Sequence, residues 1–166
     1  MAKSYKHIKP IAQDDLNGCW SASMAWWTKA VPTISNWTDD QIMVEYSDLM
    51  AANGGLTFPT GFTQMLSDPK WGLTVNVSNS SSESLDLIEI GLKKGPVMLG
   101  FWDYTVGGHH AVVVHDLYRF SLYDDHRNGV KETNMTIMNP NGGRHEQREL
   151  MWQWGYRQKI IVGYLK

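Results

Sequence analysis

Cysteine is almost missing: Cys19 is the only one in 166 residues. No internal disulfide can form, and a reducing compartment where a thiol stays free is the expected setting. Net charge is nearly missing too, at −2. With no basic run and no arginine-rich face, this argues against a nucleic-acid binder. No apolar run approaches the ~18 residues of a membrane span. Met1-Ala-Lys-Ser-Tyr-Lys6 has no hydrophobic segment, so no secretory or other delivery signal is read there. Repeats are absent, and the only biased stretch is the serines of 78–84. What remains is globular in character, with 42% apolar and 19% charged residues. The length suits one domain over 1–166. Eight tryptophans are the abundant feature, and most are expected in the core.

Cys19 lies in Gln13-Asp-Asp-Leu-Asn-Gly-Cys19-Trp20-Ser-Ala-Ser-Met-Ala-Trp-Trp27. Loop-type Asn17 and Gly18 precede it, and no helix breaker follows before Pro32, so a helix is expected from Cys19 to about Ala30. At its first turn, unpaired amides and the helix dipole favour a thiolate and lower the thiol pKa. A free cysteine is also commonly just a small buried hydrophobe.

After an extended lead-in (Lys3 to Ala12), Thr38 and Gln41 form a capping box for a second helix. Its stripe is Ile42, Tyr46, Leu49 and Met50, ended by Gly54-Gly55. Pro59 to Leu66 reads as a short third helix. From about residue 71 the character changes. Leu73 to Val77 alternates like a strand, and Ser78 to Ser84 caps a helix with Leu85, Ile88 and Leu92 on its apolar face. Strand-like runs follow at Val97 to Trp102, His110 to Tyr118, Thr133 to Met138 and Lys159 to Tyr164. Asp124 to Gly129 reads as a turn, and Gln147 to Trp154 fits helix or loop equally. Helices first (about 13–70) and antiparallel strands after (about 71–166) make an α+β chain, with a cleft where the halves meet.

A cysteine nucleophile needs a base and a group that orients the base. Among six histidines, His110 opens the strand after the pair Gly107-Gly108, sharing a face with Val112 and Val114. His109, Ala111, Val113 and His115 share the other face. His7, His126 and His145 read as solvated loop residues. Asn139 ends the apolar run Thr136-Ile-Met-Asn139, where its carboxamide oxygen can accept an imidazole N–H and select the tautomer. Asn139-Pro-Asn-Gly142 is equally an ordinary turn. Gln13 can donate its side-chain amide beside the Cys19 N–H, as an oxyanion hole requires.

Gln13-x5-Cys19-Trp20 at a helix start, then His110-Ala-Val-Val-Val, then Asn139 at a strand end, resembles the papain-like cysteine peptidases over nearly the whole chain. The resemblance implies a helical lobe carrying the nucleophile Cys19 and an antiparallel β lobe carrying His110 and Asn139, with Gln13 in the oxyanion hole. Asn53-Gly54-Gly55 also resembles the family's glycine pair on the cleft wall, where a plain helix C-cap is the competing reading; Trp20, Gly55 and Gly108 are taken as substrate-binding candidates, with Trp71 as a further one. The chain departs from papain and the cathepsins in three ways. Leu16 stands where they have a disulfide cysteine. No shielding tryptophan follows the asparagine. The intervals from cysteine to histidine and asparagine are shorter than their ~130–150 residues.

Such compact, disulfide-free forms are similar to bacteriocin-leader peptidases, avirulence-type effector proteases and interbacterial toxin domains. This implies an endopeptidase acting on a protein substrate in a cytoplasm, without cofactor or metal. Delivery into a target cell would add an immunity protein covering the cleft. The same machinery serves deamidases, transglutaminases and peptidoglycan amidases, and an inactive binding module keeps the same fold. A zinc site built from His109, His110 and His115 is poor geometry, because residues 110 and 115 fall on opposite faces of one strand.

Overall fold

A computed structural model describes residues 4–121, 131–149 and 158–166. The chain is α+β, with its first three helices preceding a six-stranded antiparallel sheet. Helix α1 (Cys19–Ala30) buries eleven of its twelve residues. Small residues explain how: Ser21, Ala22, Ser23 and Ala25 let Trp20, Met24, Trp26 and Trp27 pack on every side. Trp27 Nε1 donates to the Pro96 carbonyl at 2.9 Å, so even its polar atom is satisfied in the core.

Helix α2 (Asp39–Glu45) carries the expected reciprocal box, Thr38 Oγ1 accepting from Gln41 N and Gln41 Oε1 from Thr38 N. It is shorter than the sequence suggests. The helix stops at Tyr46, whose hydroxyl is drawn 2.8 Å from Asp68 Oδ2, and a 3-10 turn, Ser47–Leu49, follows. The glycine pair therefore caps no helix. Gly54 (φ +84°) turns a small loop closed by the Met50–Leu56 bridge and by Ala51 N donating to Gly55 O. Helix α3 (Thr60–Leu66) lies where expected.

Strands β1 (Leu73–Ser78), β2 (Val97–Asp103), β3 (Gly108–Ser121), β4 (Lys131–Asn139), β5 (Arg144–Arg148) and β6 (Ile160–Leu165) pair in the order β1-β6-β2-β3-β4-β5. Helix α4 (Ser81–Leu92) is capped by Ser80 and connects β1 to β2. The sheet is covered on both faces, which is why β2 reads as a continuous apolar run. Ala111, Val113, Met138 and Ile161 pack with α1. Their alternates Val112, Val114, Ile137 and Val162 pack with Leu85 and Ile88 of α4. Strand β5 stands where sequence reading left helix or loop open at Gln147. The turn expected at 124–129, and most of 147–154, lie outside the described residues. Among the described residues no helix is long and apolar enough to cross a membrane.

Pairing along β3 changes partner. Residues 108–114 pair with β2, whereas pairing with β4 begins only at Val113–Met138. The start of β3 is therefore free of β4, and the site is built there.

Candidate active site

Four chain segments meet at a cavity of about 660 Å³. The loop before α1 brings Gln13, Asn17 and Cys19, and the 53–58 loop brings Gly55 and Phe58. The β2–β3 hairpin brings Trp102, Gly108 and His110, and Asn141 closes the rim. Hydrogen bonds hold these segments together. Gln13 N donates to Pro140 O at 3.0 Å, and Asn17 Nδ2 to Asn53 O at 2.7 Å. The strap at 12 crosses the β4–β5 turn at Gly143, where a Cβ would lie 2.8 Å from the Ala12 Cβ.

His110 is buried, and its Nε2 lies 2.9 Å from Asn139 Oδ1. Asn139 Oδ1 also accepts from Asn141 N at 3.0 Å, and Asn139 Nδ2 donates to Glu146 Oε1 at 2.8 Å. With an oxygen facing it, Nε2 carries the proton, so Nδ1 holds the lone pair. Burial pushes the His110 pKa below its ordinary value, against the Asn139 bond and the charges of Asp103 and Glu146, which favour the cation.

Cys19 is the first residue of α1 and is 8% exposed. Its thiol is pushed up to about 11 by burial, with Asp15 adding repulsion. The amides of Ala111, Trp20 and Cys19 itself pull the other way. The sequence predicts a lowered value, and here the structure differs. The helix-start amides are present, but desolvation of the thiolate outweighs them.

Gln13 lines the cavity, yet its Nε2 donates to its own loop at Asp15 O, 2.7 Å away, and its Oε1 is buried without a partner. Trp20 is 2% exposed and points its Nε1 at Gly54 O, 3.4 Å away. Nothing lies within 4 Å of where a Gly108 Cβ would stand, so the hairpin lip there is open. Trp71 is not at the cleft. It is buried against Trp37 and Tyr46.

The remaining histidines go separate ways. His109 stacks on Phe58 with ring centroids 4.0 Å apart and has no bond to Asn139. His115 Nε2 lies 3.0 Å from His145 Nδ1, and His145 Nε2 lies 2.9 Å from the Ile8 carbonyl. His145 is thus a packed strand residue beside Trp26, not the solvated loop residue its neighbours suggest; the unrecognised strand β5 is the reason. His7 is exposed, and His126 lies outside the described residues. Among the described residues no three His, Cys, Asp or Glu side chains are arranged to hold a metal.

Sequence reading did not find Glu146, although Arg144-His-Glu-Gln-Arg148 alternates charged and uncharged residues as an edge strand does. Nor did it find the apolar floor. Gly100 is required there because a Cβ would lie 2.5 Å from Phe62 Cε1. Comparison with protein-family models finds no match, and comparison with curated proteins finds none.

Proposed function

We propose that this chain is a cysteine-dependent hydrolase of amide bonds, with a papain-like division into a helical part bearing the nucleophile and a sheet bearing base and orienter. Within that class the reading is an endopeptidase acting on a protein substrate. The observation that carries it is the His110 Nε2–Asn139 Oδ1 bond of 2.9 Å, beside a cavity that Cys19 and His110 both line. A tautomer held with Nδ1 unprotonated is what a general base needs.

The chemistry follows from those atoms. As the Cys19 sulfur attacks the carbonyl carbon, its proton passes to His110 Nδ1, and the new oxyanion takes the Cys19 N–H and the second Gln13 Nε2 hydrogen. Collapse breaks the C–N bond, and the Nδ1 proton leaves on the amine. Water then loses a proton to Nδ1, attacks the thioester, and the thiol is restored. Asn139 keeps the imidazolium in place throughout. Trp20, Gly55 and Gly108 line the channel along which a substrate chain would run.

Cys19→Ala, His110→Ala and Asn139→Ala, with His109→Ala as control, test this in a cleavage or toxicity assay. Intact-mass analysis of a treated target separates the outcomes. Fragments mean cleavage, the small gain of amide-to-acid conversion means deamidation, and conjugates mean transfer. Activity that survives Cys19→Ala ends the proposal.

A second reading, a papain-like module that binds without chemistry, draws on the buried thiol held at about 11. It is favoured if Cys19→Ala binds the same targets with the same consequences. If the chain is delivered between cells, either reading leaves room for a protective partner seated on the cleft.

A further inference from the structure

Asn139 does not hold its own orientation. A carboxamide beside an imidazole can present oxygen or nitrogen, and only the oxygen selects the useful tautomer. We propose that Glu146 is the positioning residue that fixes the Asn139 amide and thereby the His110 tautomer, a role resting on the Cys–His–Asn reading above. In the register of β4 and β5, Asn139 pairs with Arg144, so Glu146 is its diagonal neighbour on the same face. Its Oε1 takes the Asn139 Nδ2 hydrogen at 2.8 Å. Flipping the amide would turn its oxygen onto a carboxylate and its NH₂ onto the Asn141 N–H, which now donates to Oδ1 at 3.0 Å. Both contacts would become repulsive, so one orientation survives.

Glu146 is itself fixed. Arg144 Nε lies 2.6 Å from its Oε2, and Arg148 Nε lies 3.8 Å from its Oε1. Arg148 in turn grips the two oxygens of Asp103, a side chain with no exposure, at 2.9 and 3.2 Å. The chain Asp103–Arg148–Glu146–Asn139–His110 runs from the end of β2 across β5 and back to β3. Glu146 and Asp103 favour a charged imidazole and Arg148 opposes it, so the network also offsets part of the cost of charging a buried ring.

The test compares the wild-type chain with Glu146→Ala, Glu146→Gln, Asn139→Ala and the Glu146→Ala/Asn139→Ala double variant. Circular dichroism establishes that each is folded. Nitrogen-15 NMR of the imidazoles reads the tautomer, and the cleavage or toxicity assay above reads turnover. The neutral wild-type ring is expected protonated on Nε2. Glu146→Ala is expected to give a mixture of tautomers and turnover lower by ~10-fold, the scale at which an outer partner that orients a functional histidine acts. Glu146→Gln keeps an acceptor and is expected to retain the tautomer while the ring titrates at lower pH, which a merely structural role would not produce. In the Asn139→Ala background, Glu146→Ala should add less than ~2-fold, because the two act in series. An unchanged tautomer in folded Glu146→Ala, or an undiminished effect in the double variant, overturns the role of Glu146. Turnover that survives Cys19→Ala or His110→Ala instead overturns the chemistry on which that role rests, whatever the tautomer shows.

Discussion

The thiol of Cys19 should be slow, not fast, in the absence of substrate. Burial holds its pKa at about 11, so about 10⁻⁴ of it is thiolate at pH 7, against ~3% for an ordinary thiol near 8.5. A thiolate of higher pKa is intrinsically more nucleophilic, with a slope of ~0.4–0.5, which returns about one of those 2.5 powers of ten. The net expectation is alkylation ~30-fold slower than a model cysteine peptide at pH 7, before steric shielding of a side chain only 8% exposed. The sign with pH is fixed as well. The thiolate fraction rises tenfold per unit until pH approaches 11, so the logarithm of the rate should climb steadily from pH 7 to 10. Iodoacetamide labelling followed by intact mass from pH 5 to 10 makes the measurement. A rate already level between pH 5 and 8 would refute the reasoning, because it would mean a resting thiolate–imidazolium pair rather than a neutral one.

Gly100→Ala should destabilise by ~1–3 kcal/mol and shrink the cavity floor, since the new methyl meets Phe62 and Phe58 at 2.5 and 3.2 Å; chemical denaturation measures it, and stability unchanged within error argues against a rigid aromatic floor. His115 is depressed to about 4 by burial, with His145 and Lys6 adding to the shift and Asp116 opposing it. The unfolded chain therefore binds the extra proton first as pH falls. Stability is full above ~6.5 and declines towards 4, by at most ~3 kcal/mol and about half that once solvent screening is allowed. In His115→Gln this pH slope of the urea midpoint should flatten; a slope as steep as the wild type's places its origin elsewhere. Thr38→Ala removes one half of a capping box and should cost ~1 kcal/mol, lowering Tm by ~2–4 °C. A melt shifted by less than 1 °C would mean that α2 contributes little to the cooperative unit.

Local chemistry was readable in advance wherever a short stretch decides the outcome. Thr38 with Gln41, and Ser80 before Leu85 and Ile88, cap helices through contacts spanning three or four residues, so both helices start where the sequence puts them. Alternation from His110 to Val114 assigns side chains to faces, and the two core clusters sort Val112 and Val114 from Ala111 and Val113 as expected. Long-range competition was not readable. Tyr46, where α2 ends, donates its hydroxyl to Asp68 from 22 positions away. Strand β5 has no apolar face to announce it, because Arg144, Glu146 and Arg148 spend their side chains on Asn139, on Asp103 and on one another. The thiol pKa is the clearest case. The helix start that lowers it is local, whereas the burial that raises it is assembled from the sheet and the strap.

These facts bear jointly on how the proposed reaction would be timed. A thiol pushed up and an imidazole pushed down make a neutral resting pair, so charge separation would be deferred to the moment of attack. The cost of creating an imidazolium in a buried site would then fall on groups already fixed in place: Asn139 Oδ1 at 2.9 Å, Glu146 behind it, and Asp103 beyond Arg148. Preorganised dipoles and charges of this kind stabilise developing charge without reorganising during the reaction. Oxyanion stabilisation is less prepared. Gln13 gives one side-chain hydrogen to Asp15 O and buries an unpartnered Oε1, so the base side is set while the oxyanion side is partly self-occupied. Only the second Nε2 hydrogen is left for the oxyanion, so Gln13 would have to serve the loop and the substrate at once. A Gln13→Met chain, close in size and uncharged but unable to donate, should then lose turnover while the His110 tautomer and Cys19 alkylation stay as in the wild type.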